Sequence, residues 1–398
     1  MLALAAPVAA QTAFEDSIAR RTVKDHDPNG LVVGPAGSFL LFPTFTIDTV
    51  HTDNLFATDS GKVSDQFVLL NPTIAVRSDW DNHALNLSAG ATYARHRRTP
   101  NEDWIDYRLA ADGRLDIALG GRATAAASVQ REHEPRSSPD DSRARHPTRF
   151  QRFAVDLGGA YRRDAILLKL DLHGRRLDFR DNGGVNEDDR DRNTLEARGR
   201  AGYELVPGSS AFVEAAYNVR DFDQTIDDNG FKRSSDGYEV LVGTTLDLSG
   251  VTFAEAAVGY RDQRIDDPDL PNVTGVSFLG RLVWNPTDLI TVTAHLRRLV
   301  NETTLVDASA DFTSTVGMRI DYSPLEDLLL NLAVEYRNDA FKGIAREDDD
   351  ISIDLGGRYL FGRNFFAGLS YGFEHRSSNE FGADFTENRV RLSIGAKL

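Results

Sequence analysis

Cysteine is absent from this chain of 398 residues, and methionine occurs only 2 times. Without thiols there is neither a disulfide framework nor a thiolate metal centre, and no cofactor is expected. No apolar run approaches the roughly 20 residues of a membrane-crossing helix, and the mean hydropathy is −0.36. A helical inner-membrane protein is therefore excluded. Basic residues are in the minority, with 45 Lys and Arg against 61 Asp and Glu and a formal charge of −16. That balance argues against a nucleic-acid partner, which needs a basic surface. Neither a GxSxG nucleophile elbow nor an HExxH zinc pair occurs, so no enzyme is expected.

What the chain has is an alternation of apolar and polar residues that restarts about every twenty residues from Ser38 to Leu398. Ile166, Leu168, Leu170 and Leu172 alternate with Lys169, Asp171, His173 and Arg175. A strand sends successive side chains to opposite faces, so this segment has one oily face and one charged face. Leu85 to Tyr93, Ile290 to Leu296 and Leu328 to Tyr336 repeat the pattern. An open sheet of so many strands would leave two unpaired edges, and closure removes both.

Aromatic residues gather near the ends of the oily faces. Tyr161, Tyr203, Trp284, Tyr322, Tyr359 and Phe361 fall toward one rim, and Tyr93, Tyr107, Tyr217, Tyr238, Tyr260, Tyr336, Tyr371 and Phe373 toward the other. Rings at both edges of an apolar band suit a membrane interface. Connection lengths alternate too. Tight links at Asp79 to Asn82, Arg163 and Asp164, Val206 to Ser209, Ser249 and Gly250, Asn285 to Asp288, Ser323 to Glu326, and Gly362 and Arg363 are separated by longer polar links such as Glu134 to Pro147. The expectation is an all-β fold: a closed antiparallel transmembrane β-barrel of about eighteen strands, centred from Phe45 to Leu392, with short periplasmic turns and longer extracellular loops.

Residues 1–10 read as the remnant of a signal peptide, residues 11–37 as a periplasmic extension, and residues 38–398 as the barrel. Pro43 is expected to mark a bulge in the first strand, and Pro72 another in its neighbour. The acidic runs Asn186 to Asp191, Ile265 to Asp267 and Arg346 to Asp350 are expected in solvated external loops.

The inward face is read as a candidate pore wall. Its residues are Arg108, Arg114, Lys169, Asp171, Arg175, Glu196, Arg198, Arg200, Glu214, Arg220, Glu255, Arg261, Arg281, Arg297, Arg319, Glu335, Arg337, Arg358, Glu374, Arg376, Arg389 and Arg391. Such interspersed charges can brace neighbouring strands and can also create a field felt by a permeating solute.

The segment Asp27 to Thr58, with Gly37, Ser38, Phe39, Pro43, Asp53, Asn54, Leu55 and Phe56, resembles the opening of the putative β-barrel porin 2 family. Arg77 to His96 also resembles that family. The resemblance implies an outer-membrane barrel of a Gram-negative bacterium, associated with exopolysaccharide export, and carries no catalytic motif. Its expected partners are outer-membrane lipid and lipopolysaccharide, the barrel assembly machinery that reads an alternating C-terminal strand, and periplasmic polysaccharide-export proteins. The leading functional expectation is an exit conduit for secreted exopolysaccharide. A diffusion porin for small hydrophilic solutes and a non-conducting structural or adhesive barrel stand as alternatives.

Overall fold

The structure, a computed structural model, describes residues 30–398; the expected signal remnant and residues 11–29 of the extension lie outside the described residues. A short strand, β1 (Leu31–Val33), precedes β2 (Phe39–Thr52), β3 (Asp65–Ser78), β4 (Ala84–His96), β5 (Trp104–Ile117), β6 (Gly121–His133) and β7 (Arg149–Arg163). The chain continues through β8 (Ile166–Arg180), β9 (Arg192–Val206), β10 (Ser209–Phe222), β11 (Ser235–Asp247), β12 (Thr252–Ile265) and β13 (Val273–Thr287). It ends with β14 (Ile290–Asn301), β15 (Ala310–Leu325), β16 (Leu328–Lys342), β17 (Glu347–Phe361), β18 (Phe365–Ser378) and β19 (Phe385–Lys397). From β2 to β19 each strand pairs antiparallel with the next, and β19 returns to β2 from Arg389↔Thr52 to Lys397↔Thr44. The result is a closed barrel of eighteen strands, in which every strand has a paired neighbour on both sides.

The alternation sets which face meets lipid. Leu168, Leu170 and Leu172 on β8 are 47, 55 and 40 % exposed, whereas Asp171 between them is 4 % exposed. At the turn end of this band Tyr203, Trp284, Tyr322 and Tyr359 point outward, and at the loop end Tyr217, Tyr238, Tyr260, Tyr336 and Tyr371 do so. Register places Tyr217 directly opposite Tyr238, so the second girdle passes from one strand to the next. The tight turns need little chain because one residue in each of several turns adopts a left-handed backbone: Asp164 (φ 53°), Gly208 (φ 80°) and Gly362 (φ 68°).

Two prolines behave differently from expectation. The β2–β3 register is unbroken through Pro43↔Ile74, so Pro43 makes no bulge. It lies where β19 stops at Thr44 and β1 takes over the same edge at Leu41, a position that asks for no amide donor; its carbonyl accepts a bond from Leu398 N at 3.1 Å. Around Pro72 the β3–β4 ladder skips from Leu70↔Tyr93 to Thr73↔Gly90 without changing register. The shifts fall instead beside Pro286, between Trp284 and Thr287, and beside Pro324, between Tyr322 and Leu325, next to the short turns.

One seam is incomplete. The β13–β14 ladder begins only at Leu279↔Arg297, leaving the loop-end halves of both strands without ladder pairs there. The Arg298 guanidinium lies over the rings of Phe278 at 4.9 Å and Phe312 at 4.8 Å, filling the splay. From inside the barrel, Arg220 donates to the Val300 carbonyl at 3.1 Å.

Candidate functional site: the lumen and its external loops

Strand alternation puts all of the candidate wall residues on the inward face, and neighbouring strands bring many of them together. On β9 to β12, Arg198 and Arg200 both reach Glu214, Arg200 reaches Glu255 at 2.7 Å, and Arg261 reaches Glu239 at 2.6 Å. Glu255 stands opposite Arg281 in the β12–β13 register. Lys169 pairs with Asp171 at 3.3 Å, Arg114 with Asp116 at 3.1 Å and Arg319 with Asp321 at 2.6 Å. On the β16 to β19 side, Arg337 and Arg376 share Asp350 at 2.8 and 3.0 Å, and Arg389 holds Glu387 at 2.7 Å. The Glu335 carboxylate meets His295 at 3.3 Å. Arg358, Glu374 and Arg391 lie on the same inward face, with Glu374 opposite Ser352 and Arg391 opposite Ser370. The cross-strand pairs among these tie strands to one another, while Lys169–Asp171, Arg114–Asp116, Arg319–Asp321 and Arg389–Glu387 lie along single strands.

The wall is not purely polar. Phe212, Leu241 and Ala257 form an apolar cluster on the inward side with Leu279 against it, and the Arg200 guanidinium caps the Phe212 ring at 4.0 Å. Gly243 makes the room: a Cβ there would fall 2.5 Å from Phe212.

At the external end the long connections fold over and into the barrel. Loop 134–148, between β6 and β7, is pinned by Arg136, whose guanidinium donates to both Glu102 oxygens at 2.9 and 2.7 Å and to Asp141 at 3.2 Å. All three side chains are at most 7 % exposed. From β18, well round the ring, Arg376 donates to the Ser137 carbonyl at 2.9 Å. Loop 302–309, between β14 and β15, meets the same loop through the Thr303 hydroxyl, which donates to Asp140 at 2.6 Å. Burial pushes the Asp140 carboxyl above its ordinary range, with Arg190 and Thr303 acting against that shift. Two loops from distant strands thus touch across the mouth.

Further bonds fix this arrangement. Arg190 in loop 181–191 grips Glu134 at 2.7 Å and Glu187 at 2.9 Å, and it stacks over Phe179. Burial alone would favour neutral Arg190, but those carboxylates outweigh it and hold the guanidinium charged. Arg233 in loop 223–234 pairs with Asp227 at 2.6 Å and donates to the carbonyls of Thr303, Leu305 and Ala308, clasping loop 302–309. Glu302 reaches Arg220 on β10 and Arg192 on β9, at 3.2 and 3.3 Å. Burial acts to raise the Glu302 carboxyl, and Arg220, Arg192 and Arg175 together overcome it and hold the group below the ordinary carboxylate range.

Sequence reasoning misses Arg136, Asp140, Arg190, Arg192, Glu302 and Thr303. The one usable signal is length, because Glu134 to Pro147 is among the longest connections. Two acidic runs also differ from expectation. Arg190 lies buried within the run at Asn186 to Asp191, and the run at Arg346 to Asp350 is largely strand: Asp348 and Asp350 point inward at 0 and 6 % exposure. Alternation explains the second case, since Glu347 and Asp349 take the outer face and Tyr336 donates its hydroxyl to Asp349. Among the described residues no group of three or more His, Asp or Glu side chains is arranged to hold a metal ion.

The arrangement is a water-facing charged wall inside a lipid-facing shell, narrowed at its outer mouth by loops. Comparison with curated proteins gave no match. Among solved structures the chain is similar to OccK2 (OpdF) of Pseudomonas aeruginosa, at 12 % identity and a TM-score of 0.48, covering 90 % of this chain and 98 % of that one. It is also similar to OccAB4 of Acinetobacter baumannii, at 11 % identity and a TM-score of 0.48, again covering 90 % and 98 %. A third similarity is to the outer-membrane protein OpdK of Pseudomonas aeruginosa, at 11 % identity and a TM-score of 0.45, covering 90 % and 99 %. The family model described as Putative beta-barrel porin 2 matches residues 27–398. The chain therefore belongs to the putative β-barrel porin 2 family and is a porin-like β-barrel channel of the outer membrane.

Proposed function

We propose that this channel passes small hydrophilic solutes through a lumen narrowed by loops 134–148 and 302–309. One observation carries the reading: the contact of Asp140 with Thr303, flanked by Arg376 on Ser137 and by Arg233 on loop 302–309, spans the mouth. A barrel of eighteen strands is wide enough for an aqueous channel, so inserted loops rather than barrel diameter set what passes. Small solutes can move between charged side chains that exchange partners. A hydrated polymer would need both loops withdrawn together, breaking the buried Arg136 and Arg190 pairs.

Exit of an exopolysaccharide, which the family resemblance implies, is the reading that this crossing of the mouth disfavours. Planar-bilayer recording of the purified full chain tests the choice. Small, stable single-channel steps support a solute channel, and these steps should grow when Arg136→Ala releases loop 134–148. A barrel that is silent alone and conducts only with periplasmic export proteins present would overturn the reading. Silence under both conditions would also overturn it, in favour of a structural or adhesive barrel.

A further inference from the structure

We infer that Glu302 is a tethered stand-in for the solute, and that Arg175, Arg192 and Arg220 form an eyelet selecting small organic anions bearing carboxylates. This inference rests on the proposed solute channel and names its substrate class. Glu302 leaves the end of β14, yet its carboxylate sits on β9 and β10, five and four strands away round the ring. Register brings the three arginines to one place, for Arg175 on β8 and Arg220 on β10 both stand opposite Thr194 of β9, and Arg192 lies two residues from it on the same face. Arg175 and Arg220 act on Arg192, and Arg175 on Arg220, as like charges. Without an anion between them their repulsion would be uncompensated, so the eyelet calls for one carboxylate, from the loop or from solution.

Three details favour exchange over permanent bracing. The Glu302 contacts, at 3.2 and 3.3 Å, are longer than the 2.7 Å bonds by which Arg136 and Arg190 pin the neighbouring loops. The Arg192 Nε is buried without a hydrogen-bond partner, so the eyelet has donor capacity that Glu302 does not use. Arg152, one strand further along the wall, likewise holds a buried Nε without a partner, extending the run of guanidiniums beside the eyelet. A dicarboxylate could take the Arg192 and Arg220 positions with one end and this spare capacity with the other. Its arrival would free Glu302, and with it the start of loop 302–309, so occupancy and opening would be coupled.

The test uses the folded full chain in planar bilayers, with chloride as the current carrier and succinate as the added anion. In the wild type, succinate should reduce chloride current at a half-effect concentration set by competition with Glu302. Glu302→Gln removes the competitor and should lower that concentration about tenfold, as expected if the eyelet is free roughly a tenth of the time in the wild type. Glu302→Gln should also shift the reversal potential in a KCl gradient toward chloride. Arg192→Gln with Arg220→Gln should abolish the succinate effect. Conducting channels in which Glu302→Gln changes neither succinate sensitivity nor ion preference would overturn the inference while leaving the solute channel intact. If no variant conducts, the proposed function fails, and calorimetric titration of the detergent-folded protein with succinate decides this inference separately. Heat of binding that strengthens in Glu302→Gln upholds it, and equal or absent heat in both proteins rejects it.

Discussion

The two rims of the barrel are built on different principles. At the periplasmic rim the strands are joined by links of a few residues whose shape comes from local backbone, with left-handed residues such as Asp164 and Gly208, and with ion pairs that face water. Arg162 and Glu204 meet there at 2.6 Å with side chains 51 and 19 % exposed. At the external rim the connections are long, and their shape comes from guanidiniums buried among carboxylates, such as Arg136 with Glu102 and Asp141. A short turn has few conformations to lose, so it needs no distant partner. A long loop must be held by specific bonds strong enough to offset its ordering entropy. The rim that carries these bonds is also the one whose loops meet across the lumen.

The comparison is broken most severely by Arg136→Ala. It leaves Glu102 buried without its cation and Asp141 with only Arg143, at 3.6 Å, and should cost about 3–5 kcal/mol, enough to free loop 134–148. Limited proteolysis should then cut within that loop while the barrel stays resistant, and an uncut loop would show that other contacts suffice. Next in size is Asn54→Ala. Asn54 is 0 % exposed, and its side chain donates to the carbonyls of Thr58 and Thr386 at 2.8 and 3.1 Å, tying the first loop to the last strand. Losing it should cost about 2 kcal/mol, read as a lower temperature at which the folded barrel converts to the unfolded electrophoretic form.

A smaller, reversible change should follow pH. Burial, then Asp228 and Asp227, raise the Asp189 carboxyl to about 6, with Glu187 adding to the shift and Arg190 opposing it. An acid whose folded value is raised favours the packed loop while protonated. That contribution is intact near pH 4 and is lost as pH rises toward 6 and beyond. Amide exchange in loops 181–191 and 223–234 should therefore quicken between about pH 4 and 7 beyond the intrinsic chemical rate, and Asp189→Asn should flatten the excess. Smallest is Arg162→Ala at the periplasmic rim. A water-facing pair contributes at most about 1 kcal/mol, so the conversion temperature should barely move. An effect as large as that of Arg136→Ala would erase the distinction between the rims.

Much of the shell is legible in the amino-acid order alone. The expected strand centres, from Phe45 on β2 to Leu392 on β19, each fall within a separate strand, because a two-residue period leaves a plain trace wherever one face meets lipid. The aromatic girdles are readable for the same reason. Asp53 and Asn54 are visible as a family-like motif, but their use is not: Asp53 accepts bonds from Asn388 N and from its side chain, and so holds the closing seam. Pro43 is misread from sequence because its freedom from an amide partner depends on where β19 ends, a fact about residues at the other end of the chain. Arg346 to Asp350 is misread because a run of charge hides the alternation that would mark it as strand.

The sequence by itself determined the barrel, its strand count, its lipid-facing side and the charged character of its inner wall, since each follows from periodicity and hydration strand by strand. Only the tertiary structure decided what occupies the mouth. Glu302 meets Arg192 and Arg220, and Asp140 meets Thr303, only after the ring has closed and set loops from distant strands face to face. Pairings of that kind carry no local pattern, because the chain between the partners can vary without altering the contact.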